Sequence, residues 1–194
     1  MAKGSYATLH DRLRGPIREA LKEQLKIKNI HALPRIEKVI LNVGINKSKM
    51  DSKEIHAYIG ECLSTITGLK PIYTKARVAI SNFKTREGLV VGAMVTLRGR
   101  RMEEFIDRLL STALPRIRDF RGIPKSSVDQ HGNLTFGIKE HIVFPEIVLE
   151  KSRVSFGIEI TIVPRKRMKP EEGLAFYAKL GVPFEKEAKI NKKR

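Results

Sequence analysis

Residues 36–46 read IEKVILNVGIN, and the alternation in this stretch decides how the rest of the chain is read. Val39, Leu41, Val43 and Ile45 fall on one side of an extended backbone. Lys38, Ile40, Asn42, Gly44 and Asn46 fall on the other, because successive side chains of a strand point to opposite faces. The first side is apolar enough to be core; the second mixes an ammonium, amides and a glycine. Such a strand belongs to a sheet covered on one face only. The same period recurs downstream. Leu89, Val91, Ala93, Val95 and Leu97 oppose Val90, Gly92, Met94, Thr96 and Arg98, and Val154, Phe156, Ile158, Ile160 and Ile162 oppose Ser155, Gly157, Glu159 and Thr161. Two shorter runs complete a sheet of about five strands: Ile72 to Arg77, with Tyr73, Lys75 and Arg77 on one face, and Leu134, Phe136 and Ile138.

Helices with one apolar stripe supply the cover. Residues 96–124, TLRGRRMEEFIDRLLSTALPRIRDFRGIP, place Met102, Phe105, Ile106, Leu109, Leu110, Ala113 and Leu114 at three- and four-residue steps, with Pro115 as the stop. Ile55, Tyr58, Ile59, Cys62, Leu63 and Ile66 form a second stripe, opened by a capping box of Asp51 and Glu54 and closed by Gly68 and Pro71. Leu9, Leu13, Ile17, Leu21 and Leu25 suit an N-terminal helix over about 5–28, interrupted at Gly15-Pro16, and a short helix is expected over Glu171 to Leu180. The reading is therefore a single α+β domain over 1–194, with its core over about 35–182. A twisted, mostly antiparallel sheet carries amphipathic helices on one face and leaves the other open and polar. The tail from 185 to 194 is basic and expected to be disordered when free.

The chain has 38 Lys and Arg against 21 Asp and Glu in 194 residues, a formal charge of +17. That excess repels itself unless a polyanion meets it, and nucleic acid is the leading candidate. No apolar run is long enough to cross a bilayer, the opening MAKGSYATLHDRL lacks the apolar core of a secretory signal, and Cys62 is the single cysteine. A reducing, cytoplasmic location is the expectation. His10, His31, His56, His131 and His141 are scattered without ligand spacing, and there is no Walker loop or Rossmann glycine fingerprint, so no metal, no cofactor, no small-molecule substrate and no catalysis are expected.

Charge location narrows the partner. Arg98, Arg100 and Arg101 crowd the entry of the central helix, Arg116, Arg118 and Arg121 follow its end, and Arg165, Lys166 and Arg167 follow the last strand. Guanidinium forks match phosphate oxygens in pairs. The bland alternative is a solvated surface paired locally with Glu103, Glu104, Asp107 and Asp119; six arginines together in a basic chain favour an anionic partner. Residues 78–88, VAISNFKTREG, are too many for an ordinary hairpin, and Lys84 and Arg86 beside Phe83 can hold a sugar-phosphate backbone and stack on a base. The face carrying Lys38, Asn42, Lys75, Arg77, Thr96 and Arg98 suits an A-form RNA helix, which is read through its shallow groove, 2′-hydroxyls and phosphates. The competing reading is a generic basic RNA binder or a protein docking to an anionic surface. A membrane binder would instead keep a basic amphipathic helix free, and here the helix stripes are needed for the core.

The segments RIEKVILNVGIN, LKPIYTKARVAISNFKTREG, VTLRGRRMEEFIDRLLSTALPRIRDFRGI, GNLTFGIKEHIVFPEI and FGIEITIV resemble, in order and spacing, the universal large-subunit ribosomal protein number five family, over about residues 10–184. The resemblance implies a non-enzymatic role: attaching 5S rRNA in the central protuberance and touching large-subunit rRNA. It also implies contact with P-site tRNA through the loop matching 78–88 and a bridge to a protein of the small-subunit head. On this resemblance Asn42 and Thr96, at the family's asparagine and threonine, contact 5S rRNA, and Lys38, Lys75 and Arg98, assigned to the same face by alternation, are expected to join them. The tRNA loop is Arg77, Asn82, Phe83, Lys84 and Arg86. Arg100, Arg101, Arg116, Arg118, Arg121, Arg165, Lys166 and Arg167 meet other rRNA phosphates. The family's glutamine is replaced by Leu69.

Overall fold

A computed structural model describes residues 19–22, 29–45, 52–83, 85–147 and 154–185. Its strands are β1 (Ile36–Gly44), β2 (Ile72–Lys75), β3 (Val90–Leu97), β4 (Leu134–Ile138) and β5 (Ile158–Pro164). They form one sheet in the order β2-β3-β1-β5-β4, every neighbouring pair antiparallel. Val39, Leu41 and Val43 of β1 are fully buried, as are Ala93 and Leu97 of β3 and Leu134 and Ile160 of β4 and β5, so the predicted apolar face is the core face. The cover comes from α1 (Lys53–Thr67), α2 (Gly99–Arg108) and α3 (Pro170–Leu180), with residues 19–22 also helical and Leu21 buried. α1 lies against β3 and α2 against β1. Each fully buried Leu, Ile or Phe along these stripes contributes about 1.5–3 kcal/mol.

Four details differ from the sequence reading. The N-cap of α1 is Ser52, whose hydroxyl accepts from the Glu54 N–H at 3.2 Å; its Oγ reaches the first turn, which is what a cap requires. Gly68, at φ 68°, closes the helix as expected. α2 ends at Arg108 and gives way to a wide turn over Leu109–Ala113 and a tight one over Leu114–Arg116. Pro115 has no N–H for the Ser111 carbonyl, so the ladder loosens before it, and the Leu114 N–H reaches back to Leu109 O. The last strand begins at Ile158 rather than Val154. Finally, β2 stops at Lys75, and its register with β3 slips between Thr74 and Lys75. The Gly15-Pro16 interruption, Asp51 and the tail from 186 lie outside the described residues, as does most of the N-terminal helix.

Buried polar side chains are few, and among the described residues Glu146 Oε2 is the buried side-chain oxygen left without a hydrogen-bond partner. Tyr177 of α3 donates to Gly132 O at 2.8 Å and Ile162 O at 3.2 Å, and burial pushes its phenol well above the usual range. Burial also raises the Cys62 thiol, which keeps it an inert small hydrophobe. His141 is fully buried and stacked on Phe156, ring centroids 4.0 Å apart. The Phe156 N–H approaches Nδ1 at 3.5 Å, so the ring's own proton sits on Nε2, donated to Tyr58 Oη at 3.2 Å.

Burial holds the His141 pKa below the imidazole value of 6.5. The unfolded chain therefore binds a proton at this residue that the folded chain refuses. Its contribution to stability is complete above about pH 6.5 and is lost as pH falls toward the depressed folded value. Thermal melts from pH 7.5 to 5 should show this decline, and His141→Asn should flatten it; equal slopes in both proteins would contradict the assignment.

Candidate nucleic-acid interface

The register of the sheet assembles its uncovered face row by row. One row runs Ile72, Met94, Asn42, Glu159, Gly137, and the next Thr96, Ile40, Thr161, Thr135. Asn42 Nδ2 donates to Glu159 Oε2 at 3.2 Å, and the Thr135 and Thr161 hydroxyls lie 3.1 Å apart. A carboxylate only accepts, so the amide nitrogen of Asn42 must face β5, leaving Oδ1 toward Gly92 of β3. A Cβ at Gly92 would meet Thr74 Oγ1 at 2.8 Å and Val43 O at 2.9 Å, so only glycine lets Thr74 of β2 and the Val43 carbonyl of β1 draw this close. Gly44 and Gly137 have open space where a Cβ would project. Short side chains and bare backbone thus make a shallow platform.

Lys38, Asn42 and Thr96 all stand on this face, half-buried, with Lys38 opposite Val163. Arg98 is exposed in extended conformation just past β3, where it caps α2. Lys75 is exposed at the end of β2, the strand where alternation needs correction. Tyr73 pairs with the buried Ala93, and its hydroxyl donates to His56 O of α1 at 3.0 Å, which puts it on the helix side. The register then slips between Thr74 and Lys75, with the extra residue, Val91, on β3, and Lys75 pairs with Val90, which packs partly buried against the core. Tyr73, which the alternation groups with Lys75 and Arg77, therefore stands on the covered side, and Arg77 lies in a bend beyond the strand.

Residues 78–88 form a lobe closed on itself: Ile80 and Thr85 exchange backbone hydrogen bonds of 3.1 Å each way, and Ser81–Phe83 makes a single turn at the tip. Asn82 and Arg86 are exposed; Lys84 and the Phe83 side chain lie outside the description. At the rim, Arg101, Arg116, Arg118, Arg121, Arg165, Lys166 and Arg167 are exposed. Arg100 pairs with Glu104 at 2.9 Å, both largely exposed, a contact of small worth that a phosphate can replace. Arg108 is different: it binds Glu146 at 2.6 Å and Ile66 O at 3.0 Å, and so ties α2 to its neighbours.

The sequence reading missed Arg35, which lines a basic cleft of about 400 Å³ with His31, Arg165 and Lys166. The Arg165 N–H donates to Arg35 O at 2.8 Å, and only strand pairing brings residues so distant in sequence together. It also left Glu159, Thr161 and Thr135 out of the interface, although the alternation in 158–164 carried the signal. Among the described residues no group of His, Cys, Asp and Glu is arranged to hold a metal, and no helix is long and apolar enough to cross a membrane.

Comparison with known proteins agrees with this architecture. Residues 29–86 match the family model described as Ribosomal protein L5, and residues 90–184 match the model for the C-terminus of the same ribosomal family. Large ribosomal subunit protein uL5 of Prochlorococcus marinus (strain MIT 9215) is 45% identical over 92% of this chain and 99% of its own length. Proteins of the same name from Anaeromyxobacter sp. (strain Fw109-5) and Chloroflexus aurantiacus (strain ATCC 29366 / DSM 635 / J-10-fl) are 47% and 44% identical, over 92% and 91% of this chain and 98% and 97% of theirs. With both halves matched and nearly the full length covered, the chain belongs to the ribosomal protein L5 family, as a structural and non-enzymatic component of the large ribosomal subunit in the cytoplasm.

Proposed function

We propose that the open sheet face is the 5S rRNA interface, and that the protein uses it to attach 5S rRNA to the large subunit in the central protuberance. The observation that carries this reading is the placement of Asn42 and Thr96 on the uncovered side of adjacent strands, in neighbouring rows of a shallow platform. Lys38, Arg98 and Lys75 supply cations at the ends of that platform for flanking phosphates. The third polar contact expected from the family is absent: Leu69 packs partly buried against the core, and its apolar side chain makes no polar contact with RNA. Asn42→Ala and Thr96→Ala should each weaken 5S rRNA binding by about 1–2 kcal/mol without lowering the melting temperature. Unchanged affinity in both variants, measured by filter binding, would remove the sheet face from the interface.

The rest of the surface divides by position. The arginines after α2 and after β5, with Arg100 and Arg101, meet large-subunit rRNA phosphates. The 78–88 lobe, with Arg77, Asn82, Phe83, Lys84 and Arg86, projects toward P-site tRNA, and a protein of the small-subunit head is reached across the intersubunit bridge. The lobe's internal pairing supports a preformed element rather than a mobile tether. Replacing Lys84 and Arg86 together by alanine should leave 5S rRNA affinity within about twofold, because exposed charges remote from a site are largely screened. The same change should weaken P-site tRNA occupancy on reconstituted ribosomes. A large loss of 5S rRNA affinity would show that the two surfaces are one.

A further inference from the structure

One charge on the open face has the wrong sign for phosphate. Glu159 is exposed in the row that holds Asn42, and among the described residues no Lys or Arg forms an ion pair with it. It accepts a hydrogen bond from Asn42 Nδ2. Gly137, its partner on β4, leaves the space beside it open. Asn42, with one amide hydrogen committed to Glu159, keeps Oδ1 as an acceptor. The centre of the platform is therefore rich in acceptors, while its cations stand apart. Lys38 lies four residues along β1, about 13 Å away. Arg98 is near that same end, and Lys75 is beyond the opposite end.

Phosphates have no hydrogen to offer and are repelled by a carboxylate, so the RNA must turn a different group toward this row. The shallow groove of an A-form helix offers two kinds of donor, the guanine N2 amino group and the ribose 2′-hydroxyl. We infer that the Glu159 carboxylate, held beside Asn42 by their mutual hydrogen bond, accepts a hydrogen bond from such a shallow-groove donor and so sets the register of the RNA on the sheet. This rests on the sheet-face reading above. Backbone contacts at the two ends bind any duplex, whereas an acceptor pair between them admits only a helix that brings a donor to that point.

The test is binding of the full chain to 5S rRNA and to an unrelated RNA hairpin of equal length, at one salt concentration, for the native protein, Glu159→Gln and Glu159→Ala. Glu159→Ala should lose about tenfold on 5S rRNA, as expected for a lost hydrogen bond to a charged group, and Glu159→Gln, which keeps a neutral acceptor, should lose a smaller but measurable part of this. On the unrelated hairpin they should bind as well as the native protein or more tightly, since a repulsive charge has gone. Replacing guanosines by inosine, or riboses by 2′-deoxyriboses, one helix position at a time, identifies the donor. At one position the native protein should lose about tenfold, and Glu159→Ala should be indifferent to the same change.

Variants that bind 5S rRNA as tightly as the native protein, or more tightly, would overturn the inference and leave the sheet-face reading standing. A native protein that does not prefer 5S rRNA to the hairpin would overturn both. Glu159 is exposed, and unchanged melting temperatures confirm that the variants are folded.

Discussion

Raising the salt concentration from about 50 to about 200 mM should weaken the protein's hold on 5S rRNA by about 10³-fold, for some six neutralised phosphates. The reason is the release of condensed counterions: each cation that replaces one contributes a slope near one in a plot of log affinity against log salt. The chain carries a formal charge of +17, and its exposed cations stand at the ends of the sheet, after α2 and after β5. They are held by few internal partners. Arg100 is bound only to the exposed Glu104 among the described ion pairs, and releasing it costs little. Removing two cations that meet phosphates, as in Arg165→Ala with Arg167→Ala, should lower the slope by about two on whole large-subunit rRNA. Titrations at four or more salt concentrations measure this. A flat profile would mean that binding is not carried by phosphate contacts at all.

Gly122→Ala should be the most damaging small substitution, costing about 2–4 kcal/mol in urea or thermal unfolding. Gly122 has φ 110°, a conformation closed to residues with a Cβ. A Cβ there would also lie 2.6 Å from Glu185 N and 2.7 Å from the Phe184 carbonyl carbon, both of them backbone atoms with no rotamer to yield. The approach is this close because two segments are clipped together. The Ile123 N–H donates to Pro183 O at 2.8 Å, and the Glu185 N–H donates to Ile123 O at 2.9 Å. Alanine must open that clip, which joins the arginine-bearing segment after α2 to the end of α3. Gly137→Ala is the matched control, with an open Cβ site and no positive φ, and should lie within about 0.5 kcal/mol of the native protein. Equal stability of the two variants would show that the clip is not part of the folded state's energetics.

The period of two in 36–46, 89–98 and 154–162 exposed the sheet and its two faces, because burial on one side and solvent on the other leave their mark on alternate residues. The stripes of α1 and α2 were legible for the same reason. What escaped was local geometry decided by single atoms: the register slip at the end of β2, the missing amide of Pro115, and the hydroxyl of Ser52 that caps α1. Asn42 and Thr96 were found as members of a face, but their neighbours were not. The rows that bring Glu159 to Asn42 and Arg165 to Arg35 join residues more than a hundred positions apart, and alternation within a strand carries no information on which strands pair.

The slip in register between β2 and β3 has one more effect. A sheet that is not closed presents unpaired amides and carbonyls along its margins, and a neighbouring molecule can add a strand there. The β2 margin is tempting in composition, since Ile72 is 67% exposed, yet it runs for only four residues, its register with β3 slips at the last of them, and the next segment pairs with itself. An incoming strand finds no straight template. The slip in register that ends β2 therefore also guards the chain against polymerising through its own edge during the time it spends without RNA.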